Sequence, residues 1–144
     1  MIAQLNWHPA LDTAPRGRCS QTGLRDAAAF AQDLPVAVAG GDPLSLAVIH
    51  VGRPGEKWMH RVAEQLDRLP GFPYRTGPDT FAILAPGVTP WQLQLALATV
   101  AGSCRRARLH AGVTVADACA KSAAVAALAA LERAADERVS VAVV

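Results

Sequence analysis

The sequence predicts a single α/β domain of the α+β type, in which strands and helices alternate around a hydrophobic core. The chain has 144 residues, which is enough for one domain with a substantial core. Apolar residues make up 51% of it and charged residues only 18%, as in globular chains and unlike disordered ones. Strand-like apolar runs alternate with segments whose apolar residues recur at helical spacing.

A β-hairpin is predicted in the middle of the chain. Gly77-Pro78-Asp79 is a strong turn signal, because proline fixes φ at about −65° and aspartate caps turns with its own side chain. The apolar run 81–84 follows this turn and suits a buried strand, while residues 73–76 before it can supply the partner strand. The tip of the hairpin is therefore expected at the three turn residues.

The segments before the hairpin predict a helix, a strand and a second helix. Thr22 is placed to cap a helix whose apolar positions include Leu24, and Pro35 is expected to kink or end that helix. Residues 44–51 form a largely apolar run that predicts a central strand. The next helix carries a core-facing stripe at helical spacing, made of Trp58, Val62, Leu66 and Leu69.

Three more elements are predicted after the hairpin. Thr89 and Pro90 supply the N-cap and the first position of a third helix. Residues 108–116 predict a strand, and about 122–136 predict the last helix. The β-branched segment 139–144 predicts a final strand.

Charge, cysteine content and hydropathy exclude several classes of protein. A formal net charge of +2 gives no electrostatic case for binding nucleic acid or a membrane. Arg105, Arg106 and Arg108 are interpreted as cations at a helix C-terminus, with an anion site as the alternative. The three cysteines show no CxxC spacing, which favours reduced thiols in a cytoplasmic protein over disulfides or a zinc site. No signal peptide or transmembrane segment is predicted.

Two segments and the order of the elements resemble the GGDEF, or diguanylate cyclase, domains. The turn over 77–81, of sequence GPDTF, follows Arg75 and leads into an apolar strand, like the signature hairpin of that family. The resemblance implies one GGDEF-like (nucleotidyl-cyclase-like) domain over 21–144, with a central, mostly antiparallel five-stranded sheet flanked by helices. Residues 1–20 show no sustained period and are expected to form an irregular leader. The residues that match the family's opening segment are Thr22, Gly23, Leu24, Asp26 and Phe30.

The resemblance also implies which parts of a diguanylate cyclase this chain lacks. The strand acid that holds divalent cations in the family corresponds to His50, a poor ligand for magnesium, which takes oxygen ligands. The second and fourth positions of the motif are Pro78 and Thr80. The guanine-binding segment has no counterpart, and the phosphate-binding lysine corresponds to Ala135. Asp79 keeps the family's metal-binding third position, but one carboxylate alone makes a weak site.

Few candidate binding residues remain. In the family's product-binding motif an arginine precedes an aspartate, and here Arg68 holds the first position and Gly71 the second. The candidate remnants of nucleotide sites are therefore Gly77, Asp79 and Arg68. His50 and Asp79 are a candidate pair for a transition metal, against the simpler interpretation of His50 as a packed, hydrogen-bonded residue. No cofactor is predicted.

The expected function is that of a catalytically inactive GGDEF-like regulatory domain in bacterial signalling, acting through a protein partner or homodimer. A fold can persist after its site is lost, because the core and the site are separate demands. Two alternatives stay open: a sensor that binds GTP or cyclic di-GMP through a remnant site, and an enzyme with residual or altered nucleotide chemistry. An exposed apolar patch would favour the interaction domain. A metal bound at His50 and Asp79 would favour the enzyme.

Overall fold

Four helices pack against one mixed sheet in the computed structural model of the chain, which describes residues 22–40, 43–53, 55–116, 120–136 and 141–143. The predicted leader over 1–20 lies outside the described residues. A short 3-10 helix, Arg105–Ala107, precedes the fifth strand. In chain order the other elements are β1 (Arg25–Asp26), α1 (Ala27–Ala39), β2 (Leu44–Val51), α2 (Glu56–Leu66), β3 (Phe72–Arg75), β4 (Thr80–Pro86), α3 (Pro90–Ser103), β5 (Leu109–Val115), α4 (Ala120–Asp136) and β6 (Val141–Val143).

The described strands form one sheet in the order β1-β3-β4-β2-β5-β6. Inside it, β2 pairs antiparallel with β4 on one side and with β5 on the other, and β3 lies antiparallel beside β4. Each outer edge is a short parallel strand, β1 beside β3 and β6 beside β5. The predicted hairpin and the mostly antiparallel sheet are confirmed, with six strands where five were expected. The additional strand is Arg25–Asp26, a segment that the sequence pattern assigned to a helix.

The two faces of the sheet bury two separate hydrophobic cores. Positions along β2 alternate between them, because successive side chains of a strand point to opposite faces. Ala47, Ile49 and Val51 pack with residues of α2 and α3, whereas Leu44 and Leu46 pack with residues of α1 and α4. Coverage by helices on both sides explains why most of this central strand lacks a polar face.

Helix α4 approaches the sheet very closely at Gly112 of β5. A Cβ atom on Gly112 would overlap the helix backbone at Leu131 N and Ala127 O, and would lie 2.7 Å from Ala130 C. Ala127, Ala130 and Ala134 are fully buried, so three methyl groups face the sheet along this side of α4. Glycine therefore allows helix and strand to pack almost backbone to backbone at this point.

Helix α1 starts after Asp26, which corrects the prediction that Thr22 caps it. The Asp26 side chain accepts a hydrogen bond from the Ala29 backbone N–H at 3.0 Å, satisfying one of the free donors of the first turn. Pro35 does not end the helix, which continues to Ala39. The proline itself is exposed, and buried residues on either side of it hold α1 against the sheet.

A buried polar network joins β1, α1 and β3. Arg25 Nε lies 3.3 Å from Asp33 Oδ2, and the Tyr74 hydroxyl donates to the same oxygen at 2.6 Å. All three residues are buried, Tyr74 completely. Burial raises the pKa of the Tyr74 hydroxyl, and its hydrogen bond to Asp33 raises that pKa further. Phe30 packs edge-on against the Tyr74 ring, with the ring centroids 5.3 Å apart.

The other helices agree with their predicted patterns. The capping box at the start of α3 is present: Gln92 N donates to Thr89 Oγ1 at 3.2 Å, and Thr89 N donates to Gln92 Oε1 at 2.9 Å. Among the described residues, no helix is long and apolar enough to cross a membrane. The residues of the predicted stripe pack on the core: Trp58, Val62 and Leu66 lie in α2, whereas Leu69 follows the helix, which ends at Leu66 and not beyond Leu69 as predicted.

Cys104, at the end of α3, is the cysteine that falls within the described residues. It is a free thiol and is buried. Burial raises the pKa of this thiol, whereas the nearby charge of Arg61 lowers it. Cys19 and Cys119 lie outside the described residues, so the prediction that all three thiols are reduced stays a prediction.

Candidate functional site

The strongest candidate site lies at the end of the sheet where the β3–β4 hairpin turns. Arg75 braces this turn: its Nε donates to Gly77 O at 3.1 Å and its Nη2 donates to Pro78 O at 2.9 Å. Thr76 and Thr80 join the two strands by a backbone bond and by a bond between their hydroxyls, each of 3.1 Å. Sequence reasoning missed this role of Arg75, although a cation two residues before the turn glycine was an available signal.

His50 and Asp79, the candidate metal pair, are in contact. Nε2 of His50 lies 3.0 Å from Oδ2 of Asp79, and each side chain is 41% exposed. The backbone supports this approach, because the Val51 N–H donates to Asp79 O at 2.8 Å. The His50 imidazole is therefore within hydrogen-bond distance of one oxygen of the Asp79 carboxylate.

His110 is a further group at this end of the sheet that the sequence analysis did not connect with the pair. In the strand register, His50 lies opposite Thr80 of β4 and opposite His110 of β5. Residues opposite one another share a face, so these three form a row across three strands. The register between distant segments reveals this row, and no local signal does. Within the part of the chain that the structure describes, no group of three or more His, Cys, Asp and Glu side chains is placed to hold a metal ion.

Arg68, the candidate product-binding residue, is exposed and precedes β3, at the end opposite to the hairpin turn. Gly71, which the resemblance placed at the family's aspartate position, has a φ of +121°. A Cβ atom there would lie 2.8 Å from Leu84 O and 2.9 Å from Ile83 Cγ2. A side chain at this position would strain the backbone and displace β4, so local geometry favours glycine over the carboxylate.

The region that the resemblance assigned to guanine recognition is a short connection. β2 ends at Val51 and α2 begins at Glu56. The N–H groups of Gly52 and Arg53 donate to Arg108 O and Ala107 O, each at 2.9 Å, so the chain folds back along β5. Ala135, which the resemblance placed at the family's phosphate-binding lysine, is exposed in the last turn of α4.

Comparisons with known proteins bear on the fold. No protein-family model matches the sequence, and no curated protein matches it. Among solved structures, the GGDEF domain of DgcB from Caulobacter crescentus, in complex with c-di-GMP, matches with a TM-score of 0.80 at 18% identity, covering 91% of this chain and 97% of that chain. The FimX GGDEF domain from Pseudomonas aeruginosa matches with a TM-score of 0.80 at 23% identity, covering 89% of this chain and 99% of that chain.

A longer protein contains the same fold as one part. The S helix-GGDEF-EAL chain of LapD from Vibrio cholerae, bound to c-di-GMP, matches with a TM-score of 0.78 at 12% identity, covering 90% of this chain and 37% of that chain. The chain therefore has a GGDEF-like fold. At these identities the likeness defines the fold, and the ligand and the chemistry are separate questions.

Proposed function

We propose that this chain is a regulatory domain of cyclic di-GMP signalling that has no cyclase activity and acts by protein association. The observation that carries the proposal is the outer face of α3. Trp91 is 66% exposed and Leu95 is 71% exposed, and α3 contains no charged residue. Large exposed apolar side chains that adjoin one another mark interaction surfaces more often than isolated ones do.

The outer face of α3 has the composition of an interface centre. Trp91 and Leu95 are four residues apart, so they are neighbours on the helix surface. The exposed residues that continue along this face are small or uncharged: Ala98, Thr99 and Gly102. Interface centres are depleted of charge, and tryptophan is enriched among the residues that contribute most to binding.

The inner face of α3 holds the helix to the domain independently. Leu93, Leu97 and Val100 are buried in the core between α3 and the sheet, so the fold does not depend on covering the outer face. A second copy of the chain is the partner that fits this surface best. An uncharged face requires an uncharged surface opposite it, and a two-fold dimer sets the same face against itself.

The hairpin end of the sheet supports the absence of cyclase activity. Joining two GTP molecules requires neutralised triphosphate charge, and magnesium binds oxygen ligands in octahedral geometry. Asp79 offers one carboxylate, and His50 Nε2 lies 3.0 Å from one of its oxygens. Pro78 has no N–H to offer to a nucleotide where the family has glycine.

Sedimentation velocity of the full chain over a range of concentrations tests the proposal. We expect reversible self-association of the wild type. Leu95→Glu is expected to raise the dimer dissociation constant by about 100-fold or more, because the two-fold contact would bury a carboxylate from each copy.

Val36→Glu is the matched control for this variant. Val36 is 55% exposed on α1, which covers the opposite face of the sheet, and its replacement introduces the same charge. Association that survives Leu95→Glu but is lost in Val36→Glu would place the contact on α1. A wild type that stays monomeric at every attainable concentration would refute self-association.

A nucleotide sensor is the second candidate, and the c-di-GMP in the DgcB and LapD structures favours it. The residues that would form its sites here are Gly77, Asp79 and Arg68. Of these, Asp79 has a side chain that is 41% exposed beside the hairpin turn, and Arg68 is exposed after α2. Arg68 precedes β3 and Asp79 follows it, so the two residues lie at opposite ends of that strand and are tested separately.

Calorimetric titration with GTP plus magnesium, and separately with cyclic di-GMP, distinguishes the two candidates. Under the association proposal, we expect no saturable heat with either ligand, because neither site has its full set of charged groups. Saturable GTP binding that Asp79→Ala abolishes, or cyclic di-GMP binding that Arg68→Ala abolishes, would establish the sensor instead. Asp67→Ala is the control, since Asp67 is exposed beside Arg68 and belongs to neither candidate site.

A further inference from the structure

We infer that the self-association proposed above, on which this contact rests, pairs two α3 helices in antiparallel directions. Trp91 of each copy then lies over the partner's Gly102. Three features of the outer face of α3 define this contact: the order of side-chain sizes along it, the open space at Gly102, and the hydrogen bonds of the polar groups beside it.

A stripe of four exposed residues runs along the outer face of α3. Trp91, Leu95, Ala98 and Gly102 are separated by four, three and four residues. This spacing keeps all four on one side of the helix over about three turns, a length of roughly 16 Å. It is also the spacing of the seam along which paired helices contact one another, so the stripe is suited to packing against a second helix.

Side-chain size decreases along the stripe, from Trp91 in the first turn of α3 to Gly102 in the last. An antiparallel pair sets the large half of each stripe against the small half of the other, so Trp91 meets the partner's Gly102 and Leu95 meets the partner's Ala98. A parallel pair would set tryptophan against tryptophan and leave a gap between the two glycines. Close packing without voids therefore favours the antiparallel direction.

The domain itself leaves the space beside Gly102 unfilled. A Cβ atom on Gly102 would have no atom within 4 Å, whereas one on Gly112 would meet the α4 backbone. Glycine inside a helix costs up to about 1 kcal/mol relative to alanine, and no contact within the described part of the domain requires it at position 102. An indole ring of the partner, packed directly on the helix backbone, does require a residue without a side chain there.

The polar groups that border the stripe are already hydrogen-bonded within their own helix. Thr99 Oγ1 donates to Leu95 O at 3.1 Å, and Gln92 Oε1 accepts from Thr89 N at 2.9 Å. A partner that covers these atoms leaves neither of them without a hydrogen bond. Because α3 also has no charged side chain, its outer face can be removed from water at little cost.

Sedimentation velocity of Gly102→Leu tests the direction of the helices. The antiparallel contact predicts that this variant raises the dimer dissociation constant by about tenfold or more, because the new side chain occupies the space of the partner's Trp91. A parallel pair predicts the opposite result, since leucine would fill the gap between the two glycines. Leucine favours a helix more than glycine does, so a weakened dimer would not reflect loss of the fold.

Ser103→Leu is the matched control for Gly102→Leu. Ser103 is exposed in the same turn of α3, but it lies about 100° around the helix from Gly102. Its replacement adds the same side chain beside the stripe and not on it. The dissociation constant is therefore expected to change by less than about twofold.

A charge pair placed across the contact tests its register. Trp91→Glu is expected to raise the dissociation constant by about 100-fold, because it places a carboxylate in an apolar contact. Adding Gly102→Lys to that variant is expected to recover about tenfold, since each ammonium group would face the partner's carboxylate. The two positions are three turns apart in one copy, so their charges do not pair within the same helix.

The possible results distinguish failure of this contact from failure of self-association. A wild type that stays monomeric at every attainable concentration refutes both. A wild-type dimer that Gly102→Leu leaves unchanged or strengthens, or that Ser103→Leu weakens equally, overturns the antiparallel contact and leaves self-association standing. A double variant Trp91→Glu, Gly102→Lys that associates no better than Trp91→Glu overturns the register.

Discussion

Replacing Asp33 by alanine is expected to lower the free energy of unfolding by about 3–5 kcal/mol. The Asp33 carboxylate lies 3.3 Å from Arg25 Nε and accepts the Tyr74 hydroxyl at 2.6 Å. Its removal takes this carboxylate away from a buried guanidinium and leaves a buried hydroxyl without its acceptor. Native domains are stable by roughly 5–15 kcal/mol, so the loss would be a large part of the total.

Equilibrium urea unfolding followed by circular dichroism measures this effect through the midpoint and slope of the transition. Gln32→Ala is the control, because Gln32 precedes Asp33 in α1 but is exposed. We expect the control to change the free energy of unfolding by less than about 0.5 kcal/mol. A change below about 1 kcal/mol for Asp33→Ala would show that the network contributes little to stability.

A triple replacement distinguishes the cost of leaving a buried charge without its partner from the cost of lost packing. Arg25→Met, Asp33→Leu and Tyr74→Phe together are expected to recover most of the stability lost in Asp33→Ala. Apolar side chains of similar volume replace buried ion pairs with little loss, because no group is then left buried without its partner. A triple variant as unstable as Asp33→Ala would indicate that packing, and not charge, dominates at this position.

Gly112→Ala is the second change with a large expected effect, a loss of about 3 kcal/mol or more in the free energy of unfolding. The new Cβ atom would meet the α4 backbone at Leu131 N and Ala127 O. Backbone atoms cannot move aside as a flexible side chain can. Helix α4 must therefore shift away from β5, which exposes part of the core beneath it.

Gly102→Ala is the control, measured by the same urea unfolding, and its free energy of unfolding is expected to change in the opposite direction. Gly102 lies in α3, and a Cβ atom there would have no atom within 4 Å. Alanine is favoured over glycine in a helix by up to about 1 kcal/mol, so this variant is expected to be slightly stabilised. Similar stabilities for Gly112→Ala and the wild type would mean that α4 yields easily and that the close approach is not tightly fixed.

Structural features that are determined by neighbouring residues in the sequence could be predicted from the sequence. The N-cap at Thr89 and the turn at Gly77-Pro78-Asp79 depend on the side chains of those residues and their immediate neighbours. The stripe of α2 follows from helical periodicity alone. These predictions are confirmed because no distant contact competes with the local preference.

The start of α1 could not be predicted in the same way. The opening segment contains two residues suited to capping, Thr22 and Asp26, and local rules do not decide between them. The decision depends on β1, because Arg25 pairs with Tyr74 of β3 and so keeps the chain extended until Asp26. The continuation of α1 past Pro35 is likewise a consequence of tertiary packing, which outweighs local propensity.

In the candidate sites too, some features could be predicted from the sequence and others depend on how distant strands pair. The resemblance to GGDEF domains placed His50 and Asp79 at neighbouring positions of one site, and the structure brings them into contact. The alignment of His110 with His50, and of Arg53 with the 3-10 helix, depends on the register between β2 and β5. No pattern within either strand encodes that register. The ligand roles of Gly77, Asp79 and Arg68 stay predictions.

The short outer strands limit how the sheet can meet another chain. β1 has two residues, and β6 has three in the described part of the chain. A long open edge exposes a row of unpaired N–H and C=O groups on which a foreign strand can add, and this is a common start of aggregation. With so few free backbone groups at β1 and β6, these edges of the sheet are poor templates for adding a foreign strand. Association through the outer faces of the helices, in contrast, does not extend the sheet and so does not lead to fibres.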